Sequence, residues 1–171
     1  YDRTEYWRFG IGSNGTSGKV TFNVKTTDCS GTTTVSDGKW HHIAGVYSNG
    51  TAKIYVDGSL DNTCSNFRTS PHSGDGITRY GFIGEGSEAA NYDGDKNGVN
   101  FTGQIKNLRV WKNAKSQSAI QSYRYRNISS SNLKVNFRLN EGEGNKLYDN
   151  QNDKIATFKT NTHEWIKDNP F

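Results

Sequence analysis

The chain has 171 residues, of which 31% are hydrophobic, 22% charged and 12% aromatic, a length typical of one domain. This composition is too polar for a membrane protein and too aromatic for a disordered chain. The net charge is +4, but the basic residues are spread singly among acids. Nucleic-acid-binding proteins concentrate basic charge on one face, so no nucleic-acid partner is expected. No apolar run approaches the roughly 18 residues of a membrane span, so membrane insertion is not expected either.

Alternating apolar and polar residues predict β-strands along most of the chain. Strands are expected at 6–11, 20–24, 40–47, 52–56, 79–83, 104–111 and 133–139. The strongest local signal is the hairpin formed by the third and fourth of these. Asn49-Gly50 lies between them and can supply the positive φ angles of a type I′ turn. A second turn is expected at Asp57-Gly58.

One short helix is expected near 116–123, where the Ser116 side chain can cap the first turn. No linker, low-complexity tract or internal repeat divides the sequence, so 1–171 is expected to form a single domain. Many short antiparallel strands with glycine-rich turns predict an all-β, two-sheet antiparallel sandwich.

Two cysteines, Cys29 and Cys64, lie in stretches rich in Ser, Thr and Asn. Neither belongs to a CxxC pair, which argues against a zinc site. They are expected either to form one disulfide or to remain as two free buried thiols. A disulfide would indicate an extracellular or cell-surface location. The sequence also contains four glycosylation sequons, which are compatible with that location. These sequons begin at Asn14, Asn49, Asn100 and Asn127.

Three segments resemble laminin-G-like domains of the concanavalin A-like lectin/glucanase superfamily. The first reads DGKWHHIAGVY at 37–47 and NGTAKIYVDG at 49–58, and is similar to the family's DGKWHHVA…LYVDG hairpin. The second reads GFIG and then FTGQIKNLRVW up to Trp111, and is similar to the family's IG…F.G.IDDVRIW strand. The third begins with FRLNEGEG at 137–144 and is similar to an element found around such domains. The resemblance implies that the sandwich is a jelly roll.

The sequence departs from the family's pattern in two ways. The family's opening strands do not appear before residue 3, and the third segment, which commonly precedes a jelly roll, ends this chain. The chain is therefore expected to be part of a longer protein, with 133–171 as the lead-in of a following repeat. Alternatively, 133–171 closes the sheets of this domain. Lys106 also stands where the family usually has an aspartate. Any role of that aspartate in metal binding or at the sheet edge is therefore lost in this chain or belongs to another residue.

The chain is not expected to be an enzyme. Glycosidases on the related fold resemble an E-x-D-x-x-E strand with two carboxylates about 5–5.5 Å apart, and no such segment is present. Glu141 and Glu143 flank a glycine and are interpreted as solvated loop acids. His41 and His42 are adjacent in a predicted strand, where they point to opposite faces and cannot share one metal ion. Both are interpreted as structural residues.

The loop around DGDKNG at 93–98 is the best candidate for a metal site. Alternating oxygen ligands followed by glycine suit a hard cation in a tight loop, and the resemblance extends to pentraxins, which bind calcium between similar flanking segments. The twelfth position is Gln104, which argues against an EF-hand. The same residues are also ordinary turn formers. The hypothesis is therefore a Ca²⁺ site with Asp93, Asp95, Asn97, Glu85 and Glu88 as ligands.

A carbohydrate site on this fold needs an aromatic ring for the sugar face and amides or carboxylates for its hydroxyl groups. The candidates near the same loop are Tyr92, Asn91, Asn100 and Phe101. The sequence thus predicts an extracellular binding or adhesion module that recognises a glycan or glycoprotein with the help of calcium. One alternative is a structural repeat of a filament, matrix or surface protein that contacts neighbouring domains or copies of itself. A less favoured alternative is an accessory domain of a carbohydrate-active enzyme.

Overall fold

The computed structural model describes residues 7–12, 17–24, 27–67, 80–85, 100–151, 153–159 and 163–166. The chain divides into two compact units. Unit 1 comprises Tyr1–Thr102 and Lys115–Arg124, and unit 2 comprises Gly103–Ala114 and Tyr125–Phe171. Within the described ranges, the secondary structure consists of ten strands and one short helix, and this helix is too short to span a membrane.

Unit 1 is built from two antiparallel sheets of three strands each. In each sheet, strands that are consecutive in sequence pair with one another. The first sheet contains β1 (Trp7–Ile11), β2 (Lys19–Val24) and β3 (Thr27–Thr34), and the second contains β4 (Ile43–Ser48), β5 (Thr51–Val56) and β6 (Ser59–Cys64).

The core of unit 1 combines apolar side chains from both sheets. Val20 and Phe22 of β2 are buried in one cluster with Ile54 of β5. The sheets approach closely at Gly45 of β4, where a Cβ atom would lie 3.1 Å from the ring of Phe9 and 3.2 Å from that of Phe22. These contacts confirm the predicted two-sheet packing, because burying apolar side chains from both sheets removes their surface from water.

A disulfide between Cys29 of β3 and Cys64 of β6 joins the two sheets of unit 1. The disulfide alternative is therefore confirmed, and free thiols are excluded for both residues. Side-chain hydrogen bonds link the same two strands, because Asp61 accepts from the backbone nitrogens of Thr32 and Thr33 at 2.8 and 3.1 Å. Burial raises the pKa of Asp61, but these bonds and those from the two threonine hydroxyls outweigh it and leave that pKa below its usual value.

Both predicted turns of the hairpin region are confirmed. Asn49 and Gly50 have φ angles of 44° and 74°, the positive values that a type I′ turn requires. Asp57 and Gly58 have φ angles of 52° and 81°. A side chain at Gly58 would be strained by this φ, and a Cβ atom there would lie 2.9 Å from Gln121 Cγ, so the Gln121 side chain would have to shift.

The predicted helix is present as α1 (Gln117–Tyr123). The Ala119 backbone nitrogen donates to the Ser116 hydroxyl at 3.2 Å, so Ser116 acts as the expected N-cap. Ile120 is the buried residue of this helix, which fixes it to unit 1.

Unit 2 contains two antiparallel pairs of strands. β7 (Leu108–Trp111) pairs with β8 (Leu133–Phe137), and β9 (Lys146–Tyr148) pairs with β10 (Ile155–Thr157). The buried apolar residues of these pairs include Leu133, Phe137 and Leu147.

Several predicted strand bounds were wrong. β4 begins at Ile43 rather than at residue 40, because hydrogen bonds to aspartates hold the two preceding histidines outside the ladder. β7 begins at Leu108 rather than at 104, since Asn107 has a φ of 57° that interrupts an extended backbone. Residues 80–83 are not in a strand. β3, β6, β9 and β10 were not predicted, because they carry few alternating apolar side chains.

Candidate functional site

The predicted calcium and carbohydrate residues that the structure describes come together at one place in unit 1. Glu85 and Asn100 form an isolated antiparallel bridge, and the Phe101 backbone nitrogen donates to the Gly84 carbonyl at 2.7 Å. Fourteen residues along the chain separate Glu85 from Asn100 (86–99), so this pairing was not visible in the sequence. The remaining predicted residues lie outside the described ranges; they are Glu88, Asn91, Tyr92, Asp93, Asp95 and Asn97.

The described part of this site exposes an aromatic ring beside polar groups. Phe101 is 41% exposed, Asn100 is also exposed, and Glu85 is half-buried. Tyr80, which lies near Glu85 in sequence, is 37% exposed. Tyr80 was not among the residues predicted for this site, because a strand prediction does not distinguish exposed from buried positions.

The described ranges hold no group of three or more His, Cys, Asp or Glu side chains arranged for a metal ion. Of the five predicted calcium ligands, they include Glu85. The Ca²⁺ hypothesis for the 93–98 loop therefore stays a prediction.

Three of the four sequons fall on described residues. Asn49, Asn100 and Asn127 are all exposed, so each is accessible to modification, whereas Asn14 lies outside the described ranges. A glycan on Asn100 would be attached to the residue that precedes Phe101 in sequence.

A hydrogen-bonded cluster of two aspartates and one histidine organises the DGKWHH…VDG region. His41 Nδ1 lies 2.8 Å from Asp57 Oδ2, and His41 Nε2 lies 3.0 Å from Asp37 Oδ1. Asp57 Oδ1 also accepts from the His42 backbone nitrogen at 2.9 Å, and its carbonyl accepts from Arg124. The Asp57 turn therefore ties the start of β4 to the residue that follows α1.

The charges in this cluster favour a protonated histidine. The hydrogen bond to Asp57 raises the pKa of His41 above its ordinary 6.5; burial opposes this, and the bond to Asp37 adds to it. The bond from His41 lowers the pKa of Asp37 below 3.8. Burial raises the pKa of Asp57, but the bonds from His41 and the His42 amide outweigh burial and leave that pKa below 3.8.

His41 is expected to contribute less to the stability of the protein as the pH rises past neutrality. Its folded-state pKa is raised, so its contribution is complete below about pH 6.5 and is lost as the pH rises through the higher folded-state value. The contributions of Asp37 and Asp57 are complete above about pH 3.8 and are lost at lower pH. Urea unfolding at about pH 5.5 and pH 9 should therefore show a larger loss of stability in the wild type than in His41→Gln.

This comparison also provides its own control. All other groups are the same in the two proteins, so their contributions cancel in the difference between the two pH profiles. Parallel profiles for the wild type and His41→Gln would contradict a raised pKa at His41.

The two glutamates of the predicted turn, Glu141 and Glu143, differ from one another in exposure. Glu143 is exposed, in agreement with a solvated loop acid. Glu141 is half-buried, and its Oε1 accepts from the Tyr148 backbone nitrogen at 2.9 Å. For Glu141 the interpretation as a solvated acid was wrong, because the β9–β10 hairpin covers its carboxylate.

Residues 1–121 match the profile of a family described as the concanavalin A-like lectin/glucanases superfamily. Among solved structures, the chain resembles a candidate carbohydrate binding protein of Bacteroides ovatus. The TM-score is 0.64 at 18% identity, and the match covers 90% of this chain and 47% of that one.

The chain also resembles an S-layer domain-containing protein of Clostridium thermocellum. The TM-score is 0.44 at 21% identity, and the match covers 70% of this chain and 56% of that one. The chain thus spans about half the length of these solved chains. At 18% identity, the likeness to the Bacteroides ovatus protein shows the fold alone. No curated protein sequence matches the chain.

Proposed function

Because the chain belongs to the concanavalin A-like lectin/glucanase superfamily, we propose that it is an extracellular, non-catalytic module that binds a glycan or glycoprotein. The observation that carries this proposal is the exposed ring of Phe101, the residue that follows Asn100 in sequence, together with the backbone bridge that pairs Asn100 with Glu85. We call these three residues the Phe101 surface. The structural likeness to a candidate carbohydrate binding protein agrees with the proposal at the level of the fold.

Each residue of the Phe101 surface has a distinct role in sugar recognition. The C–H face of a pyranose ring packs on the aromatic ring, which removes apolar area from water. The Asn100 amide both donates and accepts hydrogen bonds, and the Glu85 carboxylate accepts them, so together they pair with neighbouring sugar hydroxyls. The backbone bonds at Gly84 and Asn100 hold the site in place before the ligand arrives, which reduces the entropy lost on binding.

Calcium assistance is the second part of the proposal. Asp93, Asp95 and Asn97 supply the hard oxygen ligands that Ca²⁺ prefers, with Glu85 and Glu88 from the preceding segment. Bound there, calcium would supply positive charge for the coordination of sugar hydroxyl groups. The disulfide between Cys29 and Cys64 favours the extracellular location that such a ligand requires.

The Phe101→Ala variant is expected to bind glycans at least about tenfold more weakly than the wild type, or about 1.4 kcal/mol. The reason is that the substitution removes the ring on which the sugar packs. The measurement is a glycan array followed by titration of the strongest ligand. Tyr148→Ala is the matched control, since Tyr148 is 52% exposed in unit 2. Equal losses of glycan affinity in both variants would contradict the proposal that glycans bind at the Phe101 surface.

The proposal that calcium assists glycan binding is tested on the same glycan array. Binding in calcium should be lost with a chelator, and an Asp93→Ala/Asp95→Ala variant should no longer respond to calcium. Binding that is the same with calcium and with chelator would overturn calcium assistance alone. No binding under either condition would favour the structural-repeat alternative over a lectin.

A further inference from the structure

The net charge of the chain is concentrated in unit 2. Unit 1 contains eleven Lys and Arg residues and eleven Asp and Glu residues, whereas unit 2 contains ten basic and six acidic residues. The charge of +4 carried by the whole chain is therefore the excess of ten over six in unit 2. A positively charged unit attracts anions from solution, so the arrangement of its basic side chains decides whether it has a site for one.

Two arginines of unit 2 lie on the same face of the β7–β8 pair. Arg109 of β7 is directly opposite Asn136 of β8. Arg138 comes two residues after Asn136, and the Asn107 backbone nitrogen donates to the Arg138 carbonyl at 3.3 Å, so the pairing of the two strands reaches this residue. Because alternate side chains point to the same side of a strand, Arg109 and Arg138 are diagonal neighbours on one face.

The positive charges of these two arginines act on one another. Both side chains are half-buried. Burial lowers the pKa of Arg109 below its usual value, and the charge of Arg138 lowers that pKa further. Arginine nevertheless stays protonated near neutral pH, so two like charges lie side by side in surroundings that screen them less than bulk water does. An anion between them would remove this repulsion.

Arg138 has no carboxylate partner within the part of the chain that the structure describes. The ion pairs there involve Asp37 and Asp57 of unit 1, and Arg138 belongs to none of them. Arg109 Nη2 donates to the Arg126 carbonyl at 2.7 Å. This bond positions the Arg109 guanidinium group, but a neutral carbonyl does not neutralise its charge.

The strand that carries Arg138 is held in place from both sides. β8 pairs with β7 along one edge. Along the other edge, the Asn136 backbone nitrogen donates to Asp149 Oδ1 at 3.1 Å, and the Asn150 backbone nitrogen donates to the Asn136 carbonyl at 3.0 Å. Because the backbone is fixed before a ligand arrives, less entropy is lost on binding.

We propose that unit 2 binds an oxyanion, a carboxylate or a sulfate group, between the guanidinium groups of Arg109 and Arg138. A guanidinium group presents its N–H donors in a planar fork that matches the oxygens of either group. The anion is either free in solution or part of an acidic sugar. This site uses no residue of the Phe101 surface and does not depend on the proposed glycan function. Its dissociation constant is expected at about 1 mM, since both arginines are partly open to water.

The test follows the backbone N–H signals of β7 and β8 and the Arg109 Nε–H signal by NMR of the full chain. The parent is the Phe101→Ala variant, so that the Phe101 surface makes no contribution. Sodium sulfate, sodium glucuronate and neutral glucose are added separately at a constant ionic strength of about 0.1 M, which holds the general screening of charge constant. Sulfate or glucuronate should shift these signals to saturation, whereas glucose should not. Saturation by glucuronate identifies an acidic sugar as the source, and saturation by sulfate alone identifies a free anion.

Variants of Arg138 separate a specific site from a general effect of charge. Arg138→Gln should weaken anion binding at least about tenfold, because it removes a charged hydrogen-bond donor. Arg138→Lys keeps the charge without the fork, so its affinity should lie between those of the parent and of Arg138→Gln. Lys154→Gln is the control. It removes one charge from an exposed position of unit 2 and should leave the affinity unchanged.

Thermal unfolding guards against a folding defect and tests the repulsion itself. Without an anion, Arg138→Gln should melt no lower than the parent, because it removes the like charge beside Arg109. With sulfate, the parent should gain more stability than Arg138→Gln, since a ligand stabilises the form that binds it.

The proposal is overturned if neither sulfate nor glucuronate gives a saturable shift at about 10 mM, well above the expected dissociation constant. It is also overturned if Arg138→Gln and Lys154→Gln bind the anion equally well, or if glucose shifts the same signals as glucuronate. None of these results concerns neutral glycans at the Phe101 surface, so this site and the proposed function fail separately.

Discussion

Replacing Cys29 and Cys64 together by alanine is expected to lower the free energy of unfolding by about 4 kcal/mol. The two cysteines are 35 residues apart in sequence, and closing a loop of this length removes much of the conformational entropy of the unfolded chain. The bond also fastens β3 of one sheet to β6 of the other. Urea unfolding of the oxidised wild type and of the double variant measures the difference.

Reduction of the wild type provides the control for this experiment. Wild type treated with a reductant should lose nearly as much stability as the double variant, because both lack the covalent link, whereas the variant itself should not respond to the reductant. A loss below about 1 kcal/mol in the variant would mean that the bond contributes little beyond the packing of Cys29.

The Ile54→Ala variant is expected to lose about 3–4 kcal/mol of unfolding free energy. Ile54 is fully buried in the cluster that both sheets of unit 1 share, so truncation removes its transfer free energy and leaves a cavity. The measurement is again urea unfolding, with the slope of the transition compared between variants.

Leu60→Ala is the matched control, because Leu60 lies on β6 of the same sheet but is 47% exposed. Its loss should stay within about 0.5–1 kcal/mol, as at most surface positions. If the two variants lost the same amount, Ile54 would not lie at a well-packed interface between the sheets.

The elements that the sequence predicted correctly depend on short windows of the chain. The hairpin of β4 and β5 follows from alternating apolar residues around Asn49-Gly50, and α1 follows from Ser116 as its cap. By contrast, β3 and β6 are rich in Thr, Ser and Asn, so no apolar alternation marks them. They become strands because each pairs with an apolar strand at the centre of its sheet, β2 and β5.

For the candidate site, the sequence identified the residues but not their arrangement. Phe101 and Asn100 were chosen for their chemistry, and the structure adds that the Phe101 ring is exposed and that Asn100 lies opposite Glu85. For Glu141 the sequence prediction was wrong. Its neighbouring glycines indicated a solvated turn, whereas the structure shows a half-buried side chain. Its burial depends on β9, which contributes the Tyr148 amide that it binds.

The sequence by itself determined the all-β class, the positions of both turns, the helix cap and the family, because backbone propensities, turn angles and motifs are properties of a few adjacent residues. The tertiary structure alone decided which distant residues meet. It chose the disulfide over free thiols, placed Asp57 against His41, and buried Asp149 against Asn136. The physical reason is that burial and pairing between distant segments depend on the simultaneous packing of whole sheets, which no local pattern encodes.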